Sequence, residues 1–414
     1  MKIIILTQYF PPETGAPQNR LYNLALQLQK RGAQITVLTG FPHYPKYEIF
    51  EGYRGKWLAK EKMDGFDIVR SYIFVNKSSR LIIRLINYFS FVLSSLVAGV
   101  FKTGKADLII CESPPLFLGI TAVLLKKNKK ARLVFNVSDL WPESAIKLGL
   151  VTNSVAIRLS TWLEEWIYRN SNQISGQTQG IVKNIQTRFT SKPVFWLRNG
   201  VNPVELRSRV TGFDWRSSNG YAKDDLLLYF GGLIGYAQGL DCILYAADRL
   251  RNEKKLHFII MGDGPDKERL VAISRKLELP NLKFYAGVSK KEIADVLSAV
   301  DIAIIPLRKI ELFEGAIPSK IFEILALEKP VLLGIKGEAK DLFIDEGKAG
   351  LAFEPENDEE LAELIRRLKN DPDLSKQLGI NGARYAATYF DSQHIADAFW
   401  TFLTNEVSKK ADSV

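Results

Sequence analysis

Short apolar runs that stop at glycine-bearing loops and give way to helix-type segments recur along the whole chain, and few folds accept that alternation. In the first half, Lys2 to Gln8 runs into the loop YFPPETGAPQNR (Tyr9 to Arg20) and then a helix from about Leu21 to Lys30. In the second half, Leu226 to Phe230 leads into GGLIGYAQG, and Leu256 to Met261 ends in Gly262-Asp263-Gly264-Pro265. Leu282 to Tyr285 ends in Ala286-Gly287-Val288, and Asp301 to Pro306 precedes Leu312-Phe313-Glu314-Gly315. Strand, small-residue loop, helix is how an α/β domain is built, and open sheets of this kind place their ligands outside the carboxyl ends of the strands. The expected fold class is therefore α/β with parallel sheets. The glycines at the strand ends let a ligand approach the backbone, and successive amides there make an anion cradle.

At 414 residues the chain exceeds one typical core, and two or three domains are expected. Residues 1 to 198 carry 27 Lys and Arg against 12 Asp and Glu, a balance of +15, whereas the remainder carries 29 against 34, or −5. The sign changes where Arg198-Asn199-Gly200-Val201-Asn202-Pro203 reads as a turn. That places one domain at 1–198, a second at 199–388, and a helix over 389–414 whose Phe399, Trp400 and Phe402 suit a return to the first domain. The two cysteines, Cys111 and Cys242, lie in apolar segments and imply no disulfide framework, and MKIIIL runs into a strand instead of a cleavable signal. A cytoplasmic protein is expected.

The stretch Ile317-Pro318-Ser319-Lys320-Ile321-Phe322-Glu323 combines a helix start with polar groups the helix does not need. Pro318 suits a first turn, and Ser319, Lys320 and Glu323, three and four residues apart, share one side near the positive end of the helix dipole. That pattern can hold a phosphate on the lysine and a ribose hydroxyl on the carboxylate. In the first half, Gly15 and Ala16 offer close backbone approach, and Ser138-Asp139-Leu140-Trp141-Pro142-Glu143 puts two carboxylates and an indole at a strand end. Helix capping by Asp139 or Glu143 would serve the same pattern. His43 is one of three histidines and stands in a long aromatic and basic connection from Gly40 to Gly65. The first loop lacks G-x-G-x-x-G, which disfavours a dinucleotide oxidoreductase.

Leu81 to Phe101 is the most apolar stretch, but Arg84, Asn87 and several serines interrupt it, so a core or interfacial helix is expected in preference to a membrane span. Leu159, Trp162, Leu163, Trp166 and Ile167 recur at helical spacing beside Arg158 and Arg169. The basic half lacks aromatic RNA-binding motifs and C-x-x-C fingers, so an anionic membrane surface is the expected partner, and nucleic acid is not.

Through YFPPETGAPQNR, SDLWPES, RNGVN, GGLIGYAQGL, MGDGP and IPSKIFE, the chain resembles bacterial glycosyltransferases of family 4 over essentially its whole length. Within them it is most similar to the cell-surface polysaccharide enzymes related to L-fucosamine transferases. The resemblance implies a GT-B fold, two Rossmann-like domains facing a central cleft, with a UDP-sugar donor on the C-terminal domain. It implies Glu323 on the ribose, Gly287 and Val288 beside the base, and Lys320 with the Gly231 to Gly235 loop near the diphosphate. Gly15, Ala16, Gly232, Gln238, Gly262, Gly264, Glu314, Gly315 and Ser319 complete the donor candidates. Asn19, Arg20, His43, Trp141 and Glu143 are candidates for a lipid-linked saccharide acceptor, with Asp139, Lys320 and Glu323 as catalytic candidates. The family usually carries Arg and Lys where Gly232 and Gln238 stand, Glu at Gly315, and His at Ser138. It retains anomeric configuration without a metal or other cofactor, the donor phosphate oxygen taking the acceptor proton. Asp371-Pro-Asp373, the only D-x-D, falls in a polar turn between helices. A UDP-sugar 2-epimerase of the same fold is the alternative. It would need several acids and bases around the sugar, for which only Asp139, Glu143 and His43 offer themselves.

Overall fold

The computed structural model describes residues 1–13, 15–44, 46–78, 80–289 and 291–411; Thr14 and Pro45, from two of the loops named above, lie outside the described residues. The chain forms two compact units, Met1–Arg198 with Ile395–Val414, and Asn199–His394.

The first unit is built on strands β1 (Lys2–Leu6), β2 (Gln34–Gly40), β3 (Leu58–Met63), β4 (Phe66–Ser71), β5 (Leu108–Ser113), β6 (Arg132–Val137), β7 (Gln173–Gly176) and β8 (Val194–Trp196). They lie in the order β3-β4-β2-β1-β5-β6-β7-β8, and all pair in parallel except β3, which runs antiparallel to β4. The helices are α1 (Ala16–Lys30), α2 (Leu81–Lys102), α3 (Leu118–Lys129), α4 (Glu143–Lys147), α5 (Ser154–Asn170) and α6 (Gln179–Arg188). Strand β1 explains why the sheet needs cover on both sides. Its Ile3 and Ile5 enter a core with Leu21, Leu24 and Leu28 of α1, while Ile4 and Leu6 enter another with Phe91, Leu118 and Ile167. Each such buried side chain contributes about 1.5–3 kcal/mol. The register Ile3↔Ile35 and Ile3↔Leu108 sets β2 on one side of β1 and β5 on the other, so the loops leaving β1 and β5 diverge.

The second unit contains β9 (Leu226–Gly231), β10 (Leu256–Met261), β11 (Leu282–Tyr285), β12 (Ile302–Pro306), β13 (Val331–Gly334) and β14 (Gly350–Ala352). The order is β11-β10-β9-β12-β13-β14, all parallel. Its helices are α7 (Pro203–Ser208), α8 (Trp215–Ser218), α9 (Asp241–Arg249), α10 (Lys267–Lys276), α11 (Ile293–Ala299), α12 (Lys320–Ala326), α13 (Glu338–Lys340), α14 (Asp358–Asn370) and α15 (Pro372–Tyr389). The switch in strand order falls between β9 and β12, and a crevice outside their carboxyl ends is where such a sheet seats a ligand.

The last helix, α16 (Ser392–Ala411), begins three residues later than 389, because α15 runs to Tyr389 and the Phe390 amide closes it by donating a hydrogen bond to the Ala386 carbonyl. Phe399 of α16 is fully buried with its ring 5.3 Å from that of Phe195, and the carbonyls of Phe402 and Leu403 accept from Gln173 and Arg132 at 2.7 Å. These contacts make α16 from Ile395 onward part of the first unit.

Several boundaries differ from the sequence-based expectation. Helix α1 starts at Ala16 instead of Leu21, since Pro17 sits in the first turn, where a missing N–H costs nothing. The connection from Gly40 to Gly65 is not irregular throughout: it contains β3, whose alternating charges suit a sheet edge. Helix α12 starts at Lys320, after Pro318, with Ser319 at the cap position but making no side-chain capping bond. Asp139 and Glu143 do not cap α4 either, since Pro142 occupies that position. Asp371 is the cap of α15, accepting from the Leu374 amide at 2.9 Å.

Candidate functional site

In the second unit the loops after β9, β10 and β12 meet. The Gly232 amide donates to the Met261 carbonyl at 2.9 Å and the Ile234 amide to that of Asp263 at 2.9 Å, so the loop of β9 lies along the loop of β10. Gly262 makes this contact possible. Its φ of +144° suits only glycine, and a Cβ there would stand 1.9 Å from the Gly232 carbonyl oxygen. Gly264 meets the Ile234 carbonyl in the same way, and Gly231 leaves room for the Tyr229 hydroxyl. Gly287 donates to the Asp263 carboxylate at 3.4 Å, with Val288 beside it partly exposed.

Lys320 reaches this loop from α12. Its ammonium stands 3.8 Å from the centroid of the Phe230 ring, and a Cβ on Gly232, at φ +124°, would be 3.2 Å from it. Among the described residues it makes no hydrogen bond or ion pair, and burial pushes the ammonium down to about 7. Glu323, one turn on, is half-buried, and its charge adds to the burial that raises the Tyr229 phenol. Ser319 is exposed. The Gln238 side chain accepts from the Gly235 amide at 3.1 Å, so its oxygen serves the turn. Glu314 and Gly315 close a short turn that Gly337 approaches through the Glu314 carbonyl, and the space where a Gly315 side chain would stand is open.

The first unit collects a second set of residues. Arg20 donates through its two terminal nitrogens to Gln177, Glu112 and Ser138, the last at 2.6 Å. Ser138 donates in turn to Glu112, as does Asn136 at 2.5 Å, and Ser175 donates to Asn136 at 2.7 Å. Arg20 and Ser138 are thereby tied into one network across the ends of β5, β6 and β7. Asp139 accepts from the Ser144 hydroxyl at 2.8 Å. Burial raises its carboxyl above the usual range and the Glu143 charge adds to this, against the pull of the Ser144 hydroxyl and the Leu140 amide. Glu143 pairs with Lys147 at 3.1 Å and contacts Asn184, and Trp141 packs edge-on to Phe117 at 5.5 Å. Gly15 covers the buried Gln18 amide, the Asn19 amide donates to the Gly15 carbonyl at 3.1 Å, and Ala16 opens α1.

His43 is held by a residue the sequence did not single out. Glu13 is buried, and it accepts from the amides of His43 at 2.8 Å, Tyr44 at 2.9 Å and Phe10 at 3.2 Å. Desolvation raises its carboxyl, against those amides and the His43 ring. His43 Nδ1 lies 2.9 Å from the Phe41 carbonyl, which can only accept, so Nδ1 carries a proton. Cys111 and Cys242 are buried free thiols, and no group of three or more His, Cys, Asp or Glu among the described residues could hold a metal ion.

Glycine-cradled strand ends at the switch point of a parallel sheet, with an uncompensated cation beside them, define a nucleotide-type site on a Rossmann-like domain. Residues 15–200 match the glycosyl transferase 4-like domain and residues 213–385 match the glycosyl transferases group 1 domain. The chain is a glycosyltransferase with the GT-B architecture, made of these two domains in succession. It is 26% identical over 379 residues to WcaI of Escherichia coli K12, which is provisionally described as a colanic acid biosynthesis glycosyl transferase, and the match covers 89% of this chain and 92% of that one. Among solved structures it is similar to sucrose-phosphate synthase of Thermosynechococcus elongatus, with a TM-score of 0.74, 16% identity and 99% of each chain covered. It is also similar to HepE of Anabaena in complex with UDP-glucose, with a TM-score of 0.69, 17% identity and 98% and 100% of the chains covered.

The Lys320 ammonium sets a test that separates a site residue from a packing residue. Its folded value of about 7 lies below the ~10.4 of an unfolded lysine, so at pH 7 and below the fold carries the whole cost of burying a charge. Between 7 and ~10.4 only the unfolded chain keeps the proton, and the cost shrinks as pH rises. Lys320→Met is expected to stabilise the fold by about 1 kcal/mol or more at pH 6, a rise of roughly 2–4 °C in midpoint, with a smaller gain at pH 9. Thermal unfolding at the two pH values measures it.

Proposed function

We propose that this glycosyltransferase moves a sugar from a UDP-sugar donor to a lipid-linked saccharide in cell-surface polysaccharide synthesis, with retention of anomeric configuration and without a metal. The sugar we favour is an N-acetylated amino sugar such as N-acetyl-L-fucosamine or GlcNAc. The observation that carries the donor reading is the unpaired Lys320 ammonium beside the glycine loop at the β9/β12 switch point. UDP-glucose is the ligand of HepE, which shares the fold, and WcaI is named for colanic acid biosynthesis.

In this reading the diphosphate lies over the Gly231 to Gly235 loop, Glu323 takes the ribose, and Gly287 and Val288 flank the base. As the glycosidic bond breaks, the leaving diphosphate gains charge, and fixed amides together with Lys320 stabilise it. The donor phosphate oxygen accepts the acceptor proton. Asp139, whose carboxyl is raised by burial, is the candidate in the first unit for orienting the acceptor hydroxyl. An epimerase is disfavoured, because Arg20 and Ser138 are tied into the Glu112 network and Glu143 pairs with Lys147, which leaves few acids and bases for a sugar ring.

The reading extends to a peripheral site on the inner face of the cytoplasmic membrane, through the first unit. Helix α2 buries Phe91, Val92 and Ala98, while Ile82, Ile86, Phe89, Leu93, Val97 and Phe101 form a row along its length that is 40–74% exposed. It is long and apolar enough to cross a membrane by length and composition, but its packing on the sheet favours lying in the interface. On α5, Leu163 and Ile167 enter the core, while Val155, Leu159 and Trp162 are exposed. Each Lys or Arg near anionic lipid adds ~1 kcal/mol, so the +15 balance of residues 1 to 198 favours such a surface.

Two measurements test the reading. A panel of nucleotide sugars is incubated with the protein in excess EDTA, with and without lipid-linked saccharide. Acceptor-dependent UDP release is expected, and Lys320→Ala and Glu323→Ala should each weaken UDP binding by about ten- to a hundred-fold, the effect of about 1.5–3 kcal/mol for a charge-assisted contact. Release without acceptor would favour the epimerase, and activity lost in EDTA but restored by Mg²⁺ would remove the metal-independent mechanism. Co-sedimentation of the full chain with vesicles should be strong for anionic lipid at low salt and weaker at high salt. A chain that stays in the supernatant with anionic vesicles at low salt would contradict the membrane surface.

A further inference from the structure

The cations around the glycine loop fall into two groups. Lys267 is held by the Gly262 carbonyl at 2.7 Å and by Asp263 at 2.8 Å, and Arg269 is held by Asp241 and Asp266 through four bonds of 2.6–2.8 Å. Both charges are already answered. Lys320 and Arg308 differ, since neither side chain makes a hydrogen bond or ion pair among the described residues. Arg308 stands two residues past the end of β12, across the strand-order switch from β9. Its amide donates to the Ala237 carbonyl at 3.0 Å, and its side-chain stem would lie 3.3 Å from a Cβ on Gly239. The guanidinium is 4.9 Å from the centroid of the exposed Tyr236 ring, whose second contact is Arg269 at 5.6 Å. The Arg308 Nε is buried with no acceptor. Such an atom costs stability unless something supplies one.

We propose that Arg308, oriented by Tyr236, is a second binding cation for the donor's diphosphate, reaching the far end of the loop whose near end is served by Lys320. This rests on the nucleotide-sugar reading of the same site. The loop is uncharged along its own length, GGLIGYAQG, so a diphosphate seated on its amides needs positive charge from other elements. Lys320 arrives from α12 at Gly232, and Arg308 arrives from the end of β12 at Gly239, six residues of chain between the two glycines. A planar guanidinium held against a ring, here 4.9 Å from its centroid, offers phosphate oxygens a fixed fork of N–H donors, which a lysine does not. Arg308 is thus a binding residue that the sequence reading left out.

The test is calorimetric binding of UDP and of uridine to the wild-type chain and to Arg308→Gln. The variant should bind UDP at least about ten-fold more weakly while binding uridine unchanged, because only the phosphates meet Arg308. If Arg308→Gln fails to fold by circular dichroism, Arg308→Met, which keeps the aliphatic stem against Gly239, takes its place with the same readouts. Wild-type affinity for UDP in the variant would overturn the role of Arg308 while leaving the donor reading intact. Equal weakening for UDP and uridine would also overturn it, as the mark of a structural residue. A folded wild-type chain that does not bind UDP at all would remove both.

Discussion

A lysine ammonium is held over a phenyl ring, against a glycine that gives it room and, among the described residues, with no acceptor to answer its charge. The cation–π attraction of Phe230 offsets only part of the desolvation, which is why the ammonium is drawn down to about 7. Much of the surrounding architecture is needed to hold it there. Strand β9 must deliver Phe230 and then turn at Gly231 and Gly232, β10 must end in a glycine that tolerates the Gly232 carbonyl, and α12 must start at Lys320. A fold tolerates such a charge where a ligand completes it, and an anion at the switch point of a parallel sheet is the simplest completion.

The strand and loop alternation was enough to read the α/β class, since buried parallel strands are apolar runs and the turns between them carry glycine. What it could not reveal were elements with no apolar run. Strand β3, LAKEKM, is an edge strand with charged residues along it, and β7, QISG, is four residues long. Within the site, the local motif around Lys320 and Glu323 was visible because its residues are neighbours in the chain. Arg308 was not, because Tyr236 and Gly239, the residues that give it a purpose, lie about seventy positions earlier. Glu13 was hidden for the same reason: its partners are the amides of His43 and Tyr44 on another loop.

The two units solve different problems with the same layered plan. Around the glycine loop the second pairs Lys267 and Arg269 with carboxylates, while Lys320 and Arg308 make no ion pair among the described residues. The first closes its strand ends with the Arg20, Glu112, Ser138 and Gln177 network, where a buried carboxylate and a guanidinium pair directly and share the neutral Ser138. A network of this kind fixes geometry, and Asp139 follows Ser138 directly in the chain. Helix α2 departs from the usual economy of a surface helix, since it is apolar on the face that packs and on the face that does not.

The central claim is that Lys320 and the Gly231 to Gly239 loop hold the donor's diphosphate. A crystal structure of the chain with UDP tests it most directly. The expected result is a diphosphate within hydrogen-bond distance of the Lys320 ammonium and the loop amides, with the ribose on Glu323. UDP bound with its phosphates elsewhere, and Lys320 still over Phe230 with no anion beside it, would contradict the claim.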